Sequence, residues 1–341
     1  MIGSPYQSWL LRLCDPEGCE DLPHDRLDIK GVGKLLDAAQ QHGVLGAVVA
    51  NVQQLFEEDG AKQLALDANA VTALRQGLED AQSICISELA MTLLLRARAR
   101  SLLAAIREVD YPVAIVKGED YADRLYDPTC IRCFRDIDLM VPRVFVDEMA
   151  EIMKEHGYKL IQPGGNYNLE FGERTWDSES RPLVRVEFHW DMITCPSQRR
   201  RSSLPFEELH WEQRGSAMQA SPDSMLLIAC VHAVISHRCD RLQHLCDIRQ
   251  ICRGRAGDVD VDRLRDTAVR CGVSSALAGG LGITARLLND ASSTELLREL
   301  RLPGASVAWR VLVSHVSLLE PERRSSRLRQ TVIREWMKRA A

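Results

Sequence analysis

No stretch of this chain is oily for long enough to cross a bilayer. The most apolar runs, Val44–Ala50 and Leu226–Ile235, fall far short of the roughly 20 residues that a spanning helix needs. Nor do residues 1–30 have the layout of a secretory leader, because Trp9, Leu10 and Leu11 are mixed with Arg12, Asp15, Glu17 and Glu20. A cationic excess is missing too. With 43 basic and 48 acidic residues the formal charge is −5, which excludes a protein that coats nucleic acid or an anionic membrane by charge alone. Arg199-Arg200-Arg201 and Arg323-Arg324 are the best candidates for a local basic patch. The 11 cysteines are odd in number, scattered and often within helical patterns, so reduced thiols in a soluble cytoplasmic protein are expected. Sequence repeats, low-complexity segments, a serine-hydrolase elbow and a Walker loop are all lacking. Gly279-Gly280-Leu281-Gly282 sits in a helical context without a preceding strand, which excludes a dinucleotide loop.

What is present is enough for a full core. Of 341 residues, 45% are hydrophobic, which fits two or three structural units or one domain with large helical additions. Residues 4–107 show apolar positions at helical spacing, opened by Ser4-Pro5 as cap and first turn. The pattern changes at Tyr111-Pro112. Val113–Val116 reads as a short strand ending at Lys117-Gly118, and Arg135–Val141 as a second strand closed by Pro142. Val146–His156 reads as a helix stopped by Gly157. Tyr158–Ile161 and Asn168–Phe171 suggest a hairpin around Pro163-Gly164-Gly165, and Leu183–Trp190 a further alternating run. Cys195–Pro205 reads as a polar linker, and Ser221-Pro222 opens a second helical half that runs to Arg339. The plan is an N-terminal helical region (1–107), an α/β core (108–195) and a C-terminal helical domain (196–341).

The chemistry concentrates in that core. On a strand, alternate side chains share a face, so Asp136 and Asp138 point the same way. Two like charges on a half-buried surface repel, and desolvation adds to the penalty. A divalent cation resolves both, since hard cations such as Mg²⁺ prefer carboxylate oxygens. The competing reading is two solvated residues on an edge strand. Glu187, His189 and Asp191 share one face of the later strand, so either Glu187 or Asp191 supplies a third carboxylate. Glu187 is the better candidate, with Arg185 as the partner that an ordinary surface residue would have. Lys117-Gly118 at a strand end suits close approach of phosphates, because Gly lets the backbone come near and Lys brings charge. Paired aspartates with a carboxylate from a neighbouring strand suit phosphoryl transfer with two cations. Cys130 and Cys133 have the spacing of half a zinc site, but no second pair lies at a convincing distance. His237, Cys239, His244 and Cys246 read as packing or capping residues.

Lys117-Gly118, Tyr126-Asp127-Pro128, Arg132, Arg135–Leu139 and Val186–Trp190, taken in order, resemble the uncharacterised nucleotidyltransferase family of the polymerase-β-like superfamily. The resemblance covers about 113–190 and extends into the helical half at His232, His237 and Asp247. It implies an α+β fold with a small mixed sheet and helices on one side. It also implies transfer of a nucleoside monophosphate from an NTP, with ATP as the expected donor, to an acceptor, with release of pyrophosphate. By position, Asp136 and Asp138 match the paired metal ligands, for two Mg²⁺ ions. Glu187 matches the carboxylate that helps activate the acceptor. Lys117 and Gly118 fall where relatives hold the triphosphate with a Gly-Ser pair. Here Glu119 follows Gly118, so Lys117 with Arg132 or Arg135 is expected to contact the triphosphate. His189 is expected to orient Glu187, and His232, His237 and Asp247 are expected at the cleft. The acceptor is open: a small molecule, a peptide or protein as in nucleotidylating toxins and regulators, or a tRNA end. The remaining alternative is an inactive core serving as an interaction protein.

Overall fold

A computed structural model describes residues 4–19, 24–57, 66, 68–108, 111–127, 132–161, 171–214, 217–302 and 319. Four N-terminal helices come first: α1 (Pro5–Leu13), α2 (Ile29–Gln41), α3 (Leu45–Glu57) and the 41-residue α4 (Ala68–Glu108). Pro5 sits at the start of α1 as expected, but the Ser4 side chain makes no cap hydrogen bond. The α4 span, which sequence pattern leaves as one helix or two, is continuous.

The core follows: β1 (Ala114–Val116), α5 (Gly118–Arg124), β2 (Asp136–Met140), α6 (Val146–Glu155), β3 (Tyr158–Ile161), β4 (Glu173–Ser178) and β5 (Arg185–His189). The expected partner of Tyr158–Ile161 is replaced, because β3 pairs antiparallel with β4. Pro163-Gly164-Gly165 and residues 168–170 lie outside the described residues, as do Pro128, Cys130, Arg323 and Arg324. The segment after 195 is not a loose linker. A helical turn α7 (Pro196–Arg199) leads through buried Ser202 and Leu204 to two further strands, β6 (Trp211–Arg214) and β7 (Ala217–Ala220). The seven strands form one mixed sheet in the order β3-β4-β5-β2-β1-β7-β6. β2 runs parallel to β5 and β1 parallel to β7, while β1 and β2 are antiparallel.

Strand alternation gives this sheet two different faces. Ile137 and Leu139 of β2 and Val186 and Phe188 of β5 are buried with Leu95, Leu102 and Ile106 of α4 and Val146, Met149 and Met153 of α6. Burying a side chain of this size contributes about 1.5–3 kcal/mol, so this face fixes the register of the acid-bearing strands. The opposite face carries the polar residues. The C-terminal helices are α8 (Pro222–Val231), α9 (Leu242–Cys252), α10 (Val261–Arg270), α11 (Ser274–Leu287) and α12 (Ala291–Leu300). Ser221 caps α8 by accepting from the Ser224 N–H. A π-helical turn, His232–Ser236, joins α8 to the loop before α9. The two helical regions are not separate in space. Trp9, Leu13 and Leu35 share one apolar cluster with Leu226, Ile248 and Leu281, and Asp15 pairs with Arg249 and Arg253.

Candidate active site

Register aligns the acids. In the parallel β2–β5 pair Asp138 stands opposite Glu187, Asp136 opposite Arg185 and Met140 opposite His189. Asp136, Asp138, Glu187 and His189 therefore share the polar face. One ligand atom each from Asp138, Glu187 and His189 lies within 4.8 Å of the other two. The neighbouring β4 adds Glu173, paired in register with His189, whose Oε2 lies 3.4 Å from His189 Nδ1. Sequence reasoning passed over Glu173. Its signal was the alternation of Glu173, Thr175 and Asp177 around buried Trp176, which marks a strand with a polar face.

Lys117 reaches the same face by a backbone irregularity. β1 pairs with β2 so that Ile115 faces Leu139 and Val116 faces Asp138. Continued alternation would put Lys117 on the apolar side with Ile115. Instead Lys117 has φ 55°, a region that L residues rarely adopt, and its ammonium comes within 2.6 Å of Asp138 Oδ1. Such strain persists only where surrounding structure over-determines it, and it gathers at functional sites. Gly118 packs so closely that a Cβ would lie 3.2 Å from the Phe134 ring.

The charges are unevenly held. Burial opposes ionisation of Asp138, but the Lys117 ammonium and the hydrogen bond from His189 Nε2 at 2.9 Å outweigh it and hold the carboxyl at about 2. Asp136 is pushed up to about 6, first by the Asp138 charge and then by burial. Burial and Lys117 oppose protonation of His189, yet its bonds to Asp138 and Glu187 lift it to about 9. Lys117 is raised as well, because attraction to Asp138 and Glu187 exceeds its own desolvation. His189 thus holds Asp138 more tightly than Glu187, which is 3.5 Å away.

Other expected residues lie elsewhere. Arg132 is buried and makes a bidentate pair with Asp247, both contacts 2.7 Å, and donates to the Gly118 carbonyl at 3.1 Å. The Tyr126 hydroxyl also donates to Asp247, at 2.7 Å. Arg132 and Asp247 therefore brace the Lys117-Gly118 corner from behind. The Arg135 side chain is 78% exposed and lies 3.5 Å from Glu88 of α4. Asp191 takes no part in the acid cluster: its carboxylate accepts from the Ile193 and Leu204 N–H groups and from Ser203 Oγ. Arg185 pairs with Asp177 rather than Glu187. His232 lies close enough to Lys117 and His189 to be affected by both, and burial holds it well below the usual imidazole range. His237 and His244 stand beside it.

The site is thus a mixed sheet whose parallel strands β2 and β5 set Asp138 opposite Glu187, with buried Lys117 at the end of the adjoining β1. Residues 30–289 match the profile of the family described as "Uncharacterised nucleotidyltransferase", and the chain belongs to that family. Membership supports a general nucleotidyl-transfer role with a nucleotide substrate. Comparison with curated proteins gives no match. Among solved structures, JHP933 from Helicobacter pylori aligns at 11% identity over 71% of this chain and 93% of that chain, with a TM-score of 0.31. No helix among the described residues is long and apolar enough to cross a membrane.

Proposed function

We propose that this protein moves a nucleoside monophosphate from an NTP, ATP first among them, to an acceptor and releases pyrophosphate, with Mg²⁺ as the required cation. The observation that carries the reading is the in-register pair Asp138–Glu187, flanked by Asp136 and reached by Lys117. The donor set fits the ion. Asp136, Asp138 and Glu187 offer hard carboxylate oxygens, and with Glu173 they outnumber the two cationic side chains among them, Lys117 and His189. When bound, two Mg²⁺ ions would neutralise the triphosphate and the charge on the attacking and leaving oxygens.

The chain's own groups divide the remaining work. Asp136 and Asp138 would hold the ions. Glu187 would ligate one of them and take the proton of the acceptor. His189 fixes the Asp138 rotamer through its 2.9 Å contact and is itself backed by Glu173. Lys117 gives up Asp138 for the triphosphate, and Arg132 keeps the Gly118 carbonyl turned so that the corner stays open. Arg132 and Asp247 act by positioning. A role for Arg135 at the phosphates would require it to leave the surface near Glu88.

Single substitutions test this. Asp136→Asn removes a ligand and one of two adjacent like charges, so pyrophosphate release is lost while the melting temperature of the Mg²⁺-free protein holds or rises. Asp138→Asn is the poorer test, because it strands Lys117 and His189 as buried charges, a loss of about 3–5 kcal/mol. Lys117→Met is expected to raise the KM for NTP by roughly tenfold or more, since a hydrogen bond to a charged group contributes about 1.5–3 kcal/mol. An unchanged KM would remove Lys117 from phosphate binding.

A further inference from the structure

A second group of metal-capable side chains stands where α8 turns towards α9, beside the acid cluster but not part of it. His232, His237 and His244 each offer a ring nitrogen, and the three atoms lie within 4.8 Å of one another. Their ring centroids are 4.5 Å apart for His232–His237 and His237–His244 and 5.0 Å for His232–His244, with the rings steeply inclined rather than stacked. Asp240 Oδ1 lies 3.5 Å from His237 Nδ1 and 3.9 Å from His244 Nδ1. The His237 imidazole hydrogen-bonds Asp240, whereas His244 Nδ1 is buried with no hydrogen-bond partner and His244 is only 7% exposed. Buried polar atoms are seldom left without partners, so a buried imidazole inside a cluster of three points to a ligand there.

The backbone is bent to produce this arrangement. In an α-helix, residues five apart point in different directions. The π-helical turn His232–Ser236, closed by the bond from the His237 N–H to the His232 carbonyl at 3.1 Å, brings His237 back over His232. Arg238 and Cys239 then follow with φ of 52° and 56°, two consecutive non-glycine residues in the left-handed region, and swing the chain so that α9 returns His244 to the same point. A π-turn and a doubled left-handed corner are separate departures from regular backbone, and both serve to converge these imidazoles.

We propose that His232, His237 and His244 bind one Zn²⁺-class divalent ion, with Asp240 beside the Nδ1 atoms of His237 and His244 to orient those rings. Three imidazoles suit zinc, whereas Mg²⁺ prefers an all-oxygen shell. The ion would clamp the π-turn to the first turn of α9. That helix carries Asp247, which holds Arg132 and through it the Gly118 carbonyl, so the clamp stabilises the wall behind the phosphate corner.

The inference does not rest on nucleotidyl transfer, and its test separates the two. The full-length protein is loaded with one equivalent of Zn²⁺ in excess Mg²⁺, and the zinc environment is read by X-ray absorption alongside affinity by equilibrium dialysis. Three imidazole nitrogens at about 2.0–2.1 Å are expected. His237→Ala, at the most accessible of the three, is expected to weaken Zn²⁺ binding by more than the roughly 10- to 100-fold that loss of an outer-shell partner costs. Zn²⁺ should raise the melting temperature of the wild type and leave that of His237→Ala where it was. The acid cluster contains a single imidazole, so a shell with one imidazole or none, or an affinity that His237→Ala leaves intact, overturns the site. Should His237→Ala fail to fold, His237→Gln takes its place under the same criteria.

Discussion

Glu119, immediately after the Lys117-Gly118 corner, shows how single residues record competing demands. Burial, then the nearby Asp123 charge, outweighs Arg96 and Arg100 and pushes its carboxyl up to about 7. Its Oε2 is buried without a hydrogen-bond partner. Because the folded value lies above the ordinary 4.5, the stability that protonated Glu119 contributes is complete below about 4.5 and is lost as pH rises through about 7. A shift of that size corresponds to about 3 kcal/mol. Glu119→Gln should therefore stabilise the protein by up to about 3 kcal/mol near pH 8 and by almost nothing near pH 4. Chemical denaturation at the two pH values checks this, and an equal gap at both would contradict it. At this scale the sequence was readable where a single periodicity decides. Asp136 and Asp138 share a face because strands alternate, and Glu187 joins them by the same rule. Lys117 was readable as a strand-end lysine but not as the partner of Asp138, since alternation assigns it to the other face. A positive φ at a non-glycine residue leaves no mark in local pattern.

At the scale of elements, the brace between the core and α9 is the clearest case. Arg132 and Asp247 are 115 positions apart, both buried, and joined by two 2.7 Å contacts. Removing one partner leaves an uncompensated buried charge, so Arg132→Met or Asp247→Leu alone should lower stability by about 3–5 kcal/mol. The double substitution should recover part of that loss, short of all of it because the Tyr126 hydroxyl stays unpaired. Equilibrium unfolding of the four proteins measures the coupling, and purely additive losses would refute the brace. Strands β1, β2, β3 and β5 and helix α6 were legible because apolar periodicity marks them, whereas β4 was not, since the expected partner of β3 was 168–171. The π-turn at His232–Ser236 was not, because apolar spacing there reads as plain helix. Strands β6 and β7 escaped notice for another reason: each is four residues long and follows a polar stretch.

For the whole molecule, the α+β class with a mixed sheet and helical flanks was legible, and family membership agrees with it. The joining of the two helical regions was not. It depends on contacts such as Arg253 with Asp15, 238 positions apart, for which no local signal exists. Val116 and Met140, on the polar face of the sheet, share one apolar cluster with residues of both helical regions. The acid cluster lies on that face, and His232, near Lys117 and His189, stands with His237 and His244 beside it. The central claim is that this acid cluster supports transfer of the α-phosphoryl group. The most direct measurement incubates wild type and Asp136→Asn with Mg²⁺, acceptor-containing lysate, and ATP labelled in turn at the α- and γ-phosphorus. The account requires α-label on an acceptor and γ-label in pyrophosphate for wild type, with neither for Asp136→Asn. Label from the γ-position on the acceptor, or α-label transfer that survives Asp136→Asn, would contradict it.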